Sequence, residues 1–350
     1  MRILKLFSLL SLLLFTGVGC FGGSATSSTD GGIFLSADGG DKWQQLTTVL
    51  TAEGIGTLAT SQVLTMEIDP QDTQTIYVGT LQRGLLYTYD GGVSWMRPRT
   101  ESLKEGKIRD VEVDPTDECT VYVTKDERLY KTTNCSRDFD SEVYVETRSG
   151  VMITRVAVDW YNPDILWLGL SNGDILKSES GGTTWKTSIS TGSYITSLLV
   201  NNADSRTILA ATESDGLYKS QDQGASWTHI EKELSDYSQA NYVNFLVQTN
   251  VGDKVLAATK YGLISSTDFG STWSKIDLLS APGQVIIRAL AMDPENADTI
   301  YYSAASTFYR SLDGGQTWTT DKLPTTRLPQ YLLVNPENPS QVYLSVVTEY

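Results

Sequence analysis

The chain has 350 residues, 40% of them hydrophobic, 10% aromatic and 20% charged, and 42 acidic residues against 27 basic ones leave a net charge of −15. That sign excludes a nucleic-acid binder built on a basic footprint. Eighteen Tyr and eight Trp exclude a disordered chain, because aromatics supply the buried area that offsets chain entropy.

Residues 1–19 read as a secretory signal: Arg2 and Lys5 open it, and residues 6–15 form a short apolar run. That run is shorter than the roughly 20 apolar residues a spanning helix needs, and no other segment approaches that length, so no transmembrane helix is expected. The following Gly17-Val18-Gly19-Cys20 resembles the bacterial lipobox. The resemblance implies that Cys20 becomes a lipidated N-terminus and anchors the protein on the extracytoplasmic side of the cell envelope. Residues 20–30 are rich in Gly, Ser and Thr and read as a flexible tether.

Beyond the tether one motif recurs, Ser/Thr-x-Asp-x-Gly-x-Ser/Thr-Trp. Its full copies carry Asp38, Asp90, Asp222, Asp268 and Asp313, and end on Trp43, Trp95, Trp227, Trp273 and Trp318. Two copies are altered: Thr132-Thr133-Asn134-Cys135-Ser136-Arg137-Asp138-Phe139, and a copy with Ser180 in the Asp place and Trp185 at its end. The carboxylate can accept backbone N–H bonds within its own turn, and the Gly residues permit positive φ. A second unit alternates with the first: an apolar strand, a polar turn often opening Asp-Pro or Asn-Pro, and another strand. Its copies are 66–80, 111–124, 156–170, 198–212, 245–259, 290–304 and 332–346.

Seven repeats of about four short strands, none able to close a core alone, predict an all-β fold: one seven-bladed β-propeller with four-stranded antiparallel blades over residues 31–350. The chain begins with a turn motif and ends with a paired-strand unit. The seventh blade is therefore expected to be split, with 342–347 pairing to 32–36 and closing the ring between the two chain ends.

These motifs resemble the Asp-box, or bacterial neuraminidase repeat, superfamily. It includes sialidases, xyloglucanase-type glycoside hydrolases, sortilin-type ectodomains and the photosystem II stability and assembly factors. The resemblance covers residues 31–350 and implies fold, since the Asp-box lies away from the active face in the enzymes. The xyloglucanase type implies paired acids between two propellers, and the repeats here make one. The assembly-factor type implies a basic surface patch, whereas this chain is acidic.

Cys119 and Cys135 flank a hairpin with strands near 120–124 and 129–133. Pairing Thr124 with Leu129 or Tyr130 sets the two cysteines across from each other, and an exported chain meets oxidising conditions. A disulfide is expected.

Catalytic chemistry is sparse. The single His229 follows Trp227 in an outer strand and reads as a surface residue, which argues against a Ser-His-Asp triad. No glycine-rich phosphate loop precedes a helix. The Asp-Gly-Gly turns do not have EF-hand spacing, and no cofactor or metal is expected.

In a propeller the channel mouth, where the inner strands begin, is the usual site. Aligning the inner strands on the Asp or Asn of the turn places Thr65, Asp110, Arg155, Ser197, Asn244, Ala289 and Tyr331 four positions before it. Leu64, Arg109, Thr154, Thr196, Val243, Arg288 and Gln330 stand one position earlier. Arg109, Arg155, Arg288, Asn244 and Tyr331 are the expected binding residues. A sialidase holds a carboxylate with three arginines and uses a Tyr nucleophile, and on that analogy Tyr331 and Asp110 are the alternative catalytic pair. The sialidase Phe/Tyr-Arg-Ile-Pro segment is absent; Thr326-Arg327-Leu328-Pro329 stands near the other end. Residues 231–237 and 46–61 form long connections suited to recognition. The reading is a monomeric, non-catalytic, lipid-anchored scaffold for a protein partner. The alternative is a glycoside hydrolase acting on extracellular glycans.

Overall fold

The structure, a computed structural model, describes residues 29–348 except 140, 251 and 252. The signal segment, Cys20 and nearly all of the tether lie outside the described residues.

Apolar strands broken by Asp-Pro turns fold here as seven antiparallel blades around one axis. Blade 1 holds Val63–Ile68, Ile76–Thr80 and Leu85–Thr88; blade 2 holds Ile108–Asp114, Asp117–Lys125, Arg128–Thr132 and Ser141–Val145. Blade 3 holds Ile153–Val158, Ile165–Leu170, Asp174–Glu179 and Lys186–Ser190, and blade 4 holds Ile195–Val200, Ile208–Thr212, Leu217–Ser220 and Thr228–Ile230. Blade 5 holds Val243–Gln248, Val255–Thr259, Leu263–Ser266 and Ser274–Ile276, and blade 6 holds Ala289–Met292, Ile300–Ala304, Thr307–Ser311 and Thr319–Lys322. Blade 7 takes Leu328–Val334 and Val342–Val347 from one end of the fold and Gly32–Ser36 and Gln44–Leu46 from the other. The expected clasp is present, in register Ile33↔Ser345, Phe34↔Leu344 and Leu35↔Tyr343. Composition put Asp30 in the tether; the structure packs it against Thr325, Thr326 and Arg327 at the start of the inner strand of blade 7.

Blade 1 departs from the four-strand pattern. Its outer strand shrinks to reciprocal bonds between Tyr87 and Met96, of 3.0 and 2.8 Å. Trp95 N–H then donates to Thr48 O, and Leu50 N–H to Trp95 O, both at 2.8 Å. The long first connection is therefore a hairpin, Thr48–Thr51 with Gly54–Thr57, that widens this blade instead of standing free. The other long connection also docks inward, burying Leu234 and Ala240 in the core.

The core follows from the ring. Seven buried apolar clusters lie between neighbouring blades. That between blades 7 and 1 joins Ile33 and Tyr343 to Val63, Met66 and Trp95. Burying one such large side chain contributes about 2 kcal/mol. No single blade has a core of its own, so closure and stability are the same event.

The recurrent turns share one geometry. Ser220 Oγ donates to Asp222 Oδ1 (2.9 Å) and accepts Gly224 N–H (2.7 Å), while Asp222 Oδ1 accepts Ser226 N–H (2.8 Å). The same bonds recur around Asp38, Asp90, Asp268 and Asp313. In the altered copies Asn134 and Ser180 accept the equivalent N–H groups, from Asp138 and Thr184. Cys119 and Cys135 are joined as a disulfide. The strand register runs Thr124↔Leu129 and Val121↔Thr132, and Cys135 and Ser136 at φ 56° and 62° bend the chain back over Cys119.

Candidate functional site

The site is the central channel, and a recurring bulge builds its arginine-bearing mouth. In blades 1 to 5 and 7 the register slips near the start of the inner strand, between Val63/Thr65, Ile108/Asp110, Ile153/Arg155, Ile195/Ser197, Val243/Phe245 and Pro329/Tyr331. Blade 6 does the same by another route: Arg288 N–H bonds Ser303 O (2.9 Å) although Ala289 already faces Ser303. Two residues then oppose one, the strict alternation of side chains is suspended, and consecutive residues such as Arg109 and Asp110, or Gln330 and Tyr331, both reach the lumen.

The bulge also corrects one alignment. In blade 5 the turn position is held by Thr249, whose N–H bonds Lys254 O as Asn201 N–H bonds Thr207 O in blade 4. Phe245, not Asn244, is thus the equivalent of Asp110 and Tyr331. Asn244 is exposed and takes the bulge position with Leu64, Arg109 and Arg288, where Val243 had been aligned; Val243 is buried in the core.

Arg109, Asp110, Arg155 and Tyr331 are brought together in one cavity of about 180 Å³. Arg288 and Asn244 stand outside its lining. Asp110 Oδ2 accepts the Val156 N–H (3.0 Å). Enclosure by the ring pushes its carboxyl up to about 6, against the opposing pull of Arg155, the Val156 N–H and the Thr65 hydroxyl. Arg155 Nη1 donates to Thr154 O (2.7 Å), and Arg109 Nη2 lies 2.7 Å from Met152 Sδ. Burial pushes the Tyr331 hydroxyl well above its ordinary range, and the charges of Glu67 and Asp110 push it further. Two carboxyls sequence reasoning passed over, Glu67 and Glu112, sit deeper on the same inner strands. Burial raises both well above ordinary values, and their neighbouring carboxyls, with Asp110 beside each, add to the rise. They were missed because each sits only two positions before the turn, within a stretch read as apolar core; the signal was a polar residue on the lumen side of the strand period.

A second recurrent feature was also missed. Facing the bulge on the next strand stand small residues: Gly79, Thr124, Gly169, Ala211, Ala258, Ser303 and Ser345. A Cβ on Gly169 would lie 2.6 Å from Ile195 of the next blade, and one on Gly79 2.8 Å from Ile108. The two glycines let the second strand of one blade approach the inner strand of the next.

Below Glu67, Glu112 and Tyr331 the lumen opens again into a vestibule of about 540 Å³ at the Asp-Pro turns. His229 is far from either mouth in role: its ring stacks on Tyr218 at 4.5 Å, and Nε2 lies 2.8 Å from Asp215 O. Among the described residues no three His, Cys, Asp or Glu side chains converge to hold a metal ion, and no helix is long and apolar enough to cross a membrane.

The ring, its seven blades and its central channel define the chain as a seven-bladed β-propeller. No protein-family profile matches the chain. Over 202 residues it is 30% identical to a xyloglucanase of Paenibacillus sp., a stretch covering 51% of this chain and 17% of that protein. The GH74 enzyme of Niastella koreensis superposes with a TM-score of 0.68 at 18% identity, covering 82% of this chain and 51% of the enzyme. YCF48 solved with a D1 peptide superposes at 0.63 with 15% identity, and YCF48 of Cyanidioschyzon merolae at 0.61 with 15%; both matches cover 82% of this chain, and 93% and 96% of the respective partners. The chain thus spans about half of the GH74 enzyme and under a fifth of the curated xyloglucanase. At these identities the likeness is one of fold.

Proposed function

We propose that this chain is a non-catalytic recognition propeller that holds a protein partner at the mouth of its central channel. The observation that carries the reading is the pairing of Arg109 and Arg155 on the wall of a lumen of about 180 Å³. That volume admits a side chain or a chain end, and guanidinium groups favour carboxylates there. The likeness in fold to YCF48 bound to a D1 peptide supports a peptide as the ligand class. The sequence of residues 1–20 supports presentation on the extracytoplasmic side of a membrane through a lipid on Cys20.

The second reading is a glycoside hydrolase. Carboxyls with raised proton affinity in a cavity beside a tyrosine favour it, as does the likeness to a xyloglucanase. Against it, Asp110 is already bound to Val156 N–H, and the cavity that holds it measures only about 180 Å³. A pull-down with the full chain tests the first reading: Arg109→Ala/Arg155→Ala/Arg288→Ala should lose the captured partner, and unchanged capture excludes this mouth. A panel of fluorogenic glycosides, sialosides included, tests the second. Turnover abolished by Tyr331→Phe or Asp110→Asn would establish it; no turnover is expected.

A further inference from the structure

The two mouths of the channel carry opposite chemistry. Arginines mark the one where the inner strands begin; at the other, the vestibule of about 540 Å³ has no Lys, Arg or His among the described residues of its lining. Its acidic members are Glu67 and Glu112 on the floor and Glu295 and Glu337 on the exposed rim. None of the four makes an ion pair among the described residues: Glu295 accepts only an Asn250 Nδ2 bond (3.1 Å), and Glu337 a Thr73 hydroxyl (2.8 Å). The wall between floor and rim is apolar apart from Gln248 and Asn250, and it includes Pro70, Pro115, Pro294, Pro336 and Trp160. Gln248 is tied back to the wall, its Nε2 donating to Val200 O (2.8 Å).

Each feature asks for the same ligand. An apolar collar with carboxyl groups at both ends, the exposed pair on the rim, suits a long side chain whose methylene stem is dry and whose head is cationic. A guanidinium fits best: it pairs with carboxylates through a planar fork and stacks on an indole. The volume lies within the range of small-ligand pockets, enough for one such side chain and the backbone on either side. We propose that the turn-side vestibule is a second binding site, which takes an arginine-bearing protein segment with apolar flanks. Burial favours the protonated form of the floor carboxyls, and a cation entering between them favours their ionised form instead.

The test is a fluorescence-anisotropy titration of the intact chain with labelled acetyl-Gly-Leu-Arg-Leu-Gly amide and with its citrulline twin, which keeps the shape and removes the charge. Saturable binding of the arginine peptide is expected, about tenfold or more tighter than the citrulline form, equivalent to about 1.4 kcal/mol. Glu112→Gln should erase most of that preference. Should that variant fail to fold, Glu295→Gln/Glu337→Gln, confined to the exposed rim, should still reduce it about threefold or more by the rule for charge-assisted contacts. Equal affinity for the two peptides, or no saturable binding of either, overturns the proposal. The Arg109→Ala/Arg155→Ala/Arg288→Ala variant separates this site from the other mouth: it should keep the arginine peptide while losing the partner captured there.

Discussion

Asp30 Oδ1 lies 3.3 Å from Arg327 Nε, two residues 297 positions apart that meet where the ring closes. Arg327 is buried, and Thr325 and Thr326 hydroxyls donate to the same aspartate. The pair locks the chain just outside the first strand of the clasp, so strand pairing in blade 7 starts from a fixed end. Asp30→Asn should destabilise the protein by about 2 kcal/mol, the scale of a charge-assisted bond. Urea unfolding of both proteins at neutral pH checks it.

The same pair has a pH signature. Burial opposes ionisation of Asp30, but the Thr326 N–H, the Thr326 and Thr325 hydroxyls and Arg327 outweigh it and hold the carboxyl at about 2, against an ordinary 3.8. A depressed folded value means the stabilisation is complete above about pH 4 and fades as pH falls toward 2. The stability gap between wild type and Asp30→Asn should therefore shrink across that window and stay constant above it. A gap that does not change between pH 6 and pH 2 would sink this account.

Asp110 should behave in the opposite sense. Burial raises its carboxyl to about 6, so the folded state penalises ionisation. The penalty grows as pH rises from about 4 to 6 and is constant above. Thermal melts across that range should show wild type losing ground to Asp110→Asn, with no further relative drift between pH 7 and 8.

In the recurrent turns the hydroxyl and the glycine matter more for stability than the exposed carboxylate. Ser220→Ala removes the acceptor of the buried Gly224 N–H and should cost about 1.5 kcal/mol. Gly224→Ala should cost more, about 3 kcal/mol. Its φ is 76°, and a Cβ there would stand 2.4 Å from the fully buried Trp167 ring. Denaturant titration of the two variants gives the order directly.

Cys119 and Cys135 close a loop of separation 16 in the blade whose turn motif has lost its Asp and Gly. Loop entropy assigns the bond about 3 kcal/mol. The Cys119→Ser/Cys135→Ser variant should unfold at correspondingly lower urea, and reductant should shift the wild type but not the variant.

The repeats, the split blade and the cysteine pair were all legible in the residues, because each depends on local rules. A Ser-x-Asp-x-Gly turn makes its own hydrogen bonds, and alternating apolar strands need a neighbouring sheet. Seven such units with the missing turn at one end leave a single way to pair 32–36. The lumen was legible in part. Arg109, Arg155, Asp110 and Tyr331 were placed at one mouth and share its cavity. Asn244 was misaligned because its turn carries Thr249 in place of Asp or Asn, and the bulge that decides the register leaves no composition of its own.

What the amino-acid order determined was the number of blades, their order and the point of closure, since those follow from short-range turn chemistry and the need to bury one strand face against another. Only the tertiary structure decided which side chains face the axis, that Glu67 and Glu112 share an enclosed waist, and that the two mouths differ in charge. Those properties arise where seven strands far apart in sequence converge on one axis, so no single residue's local preference reveals them.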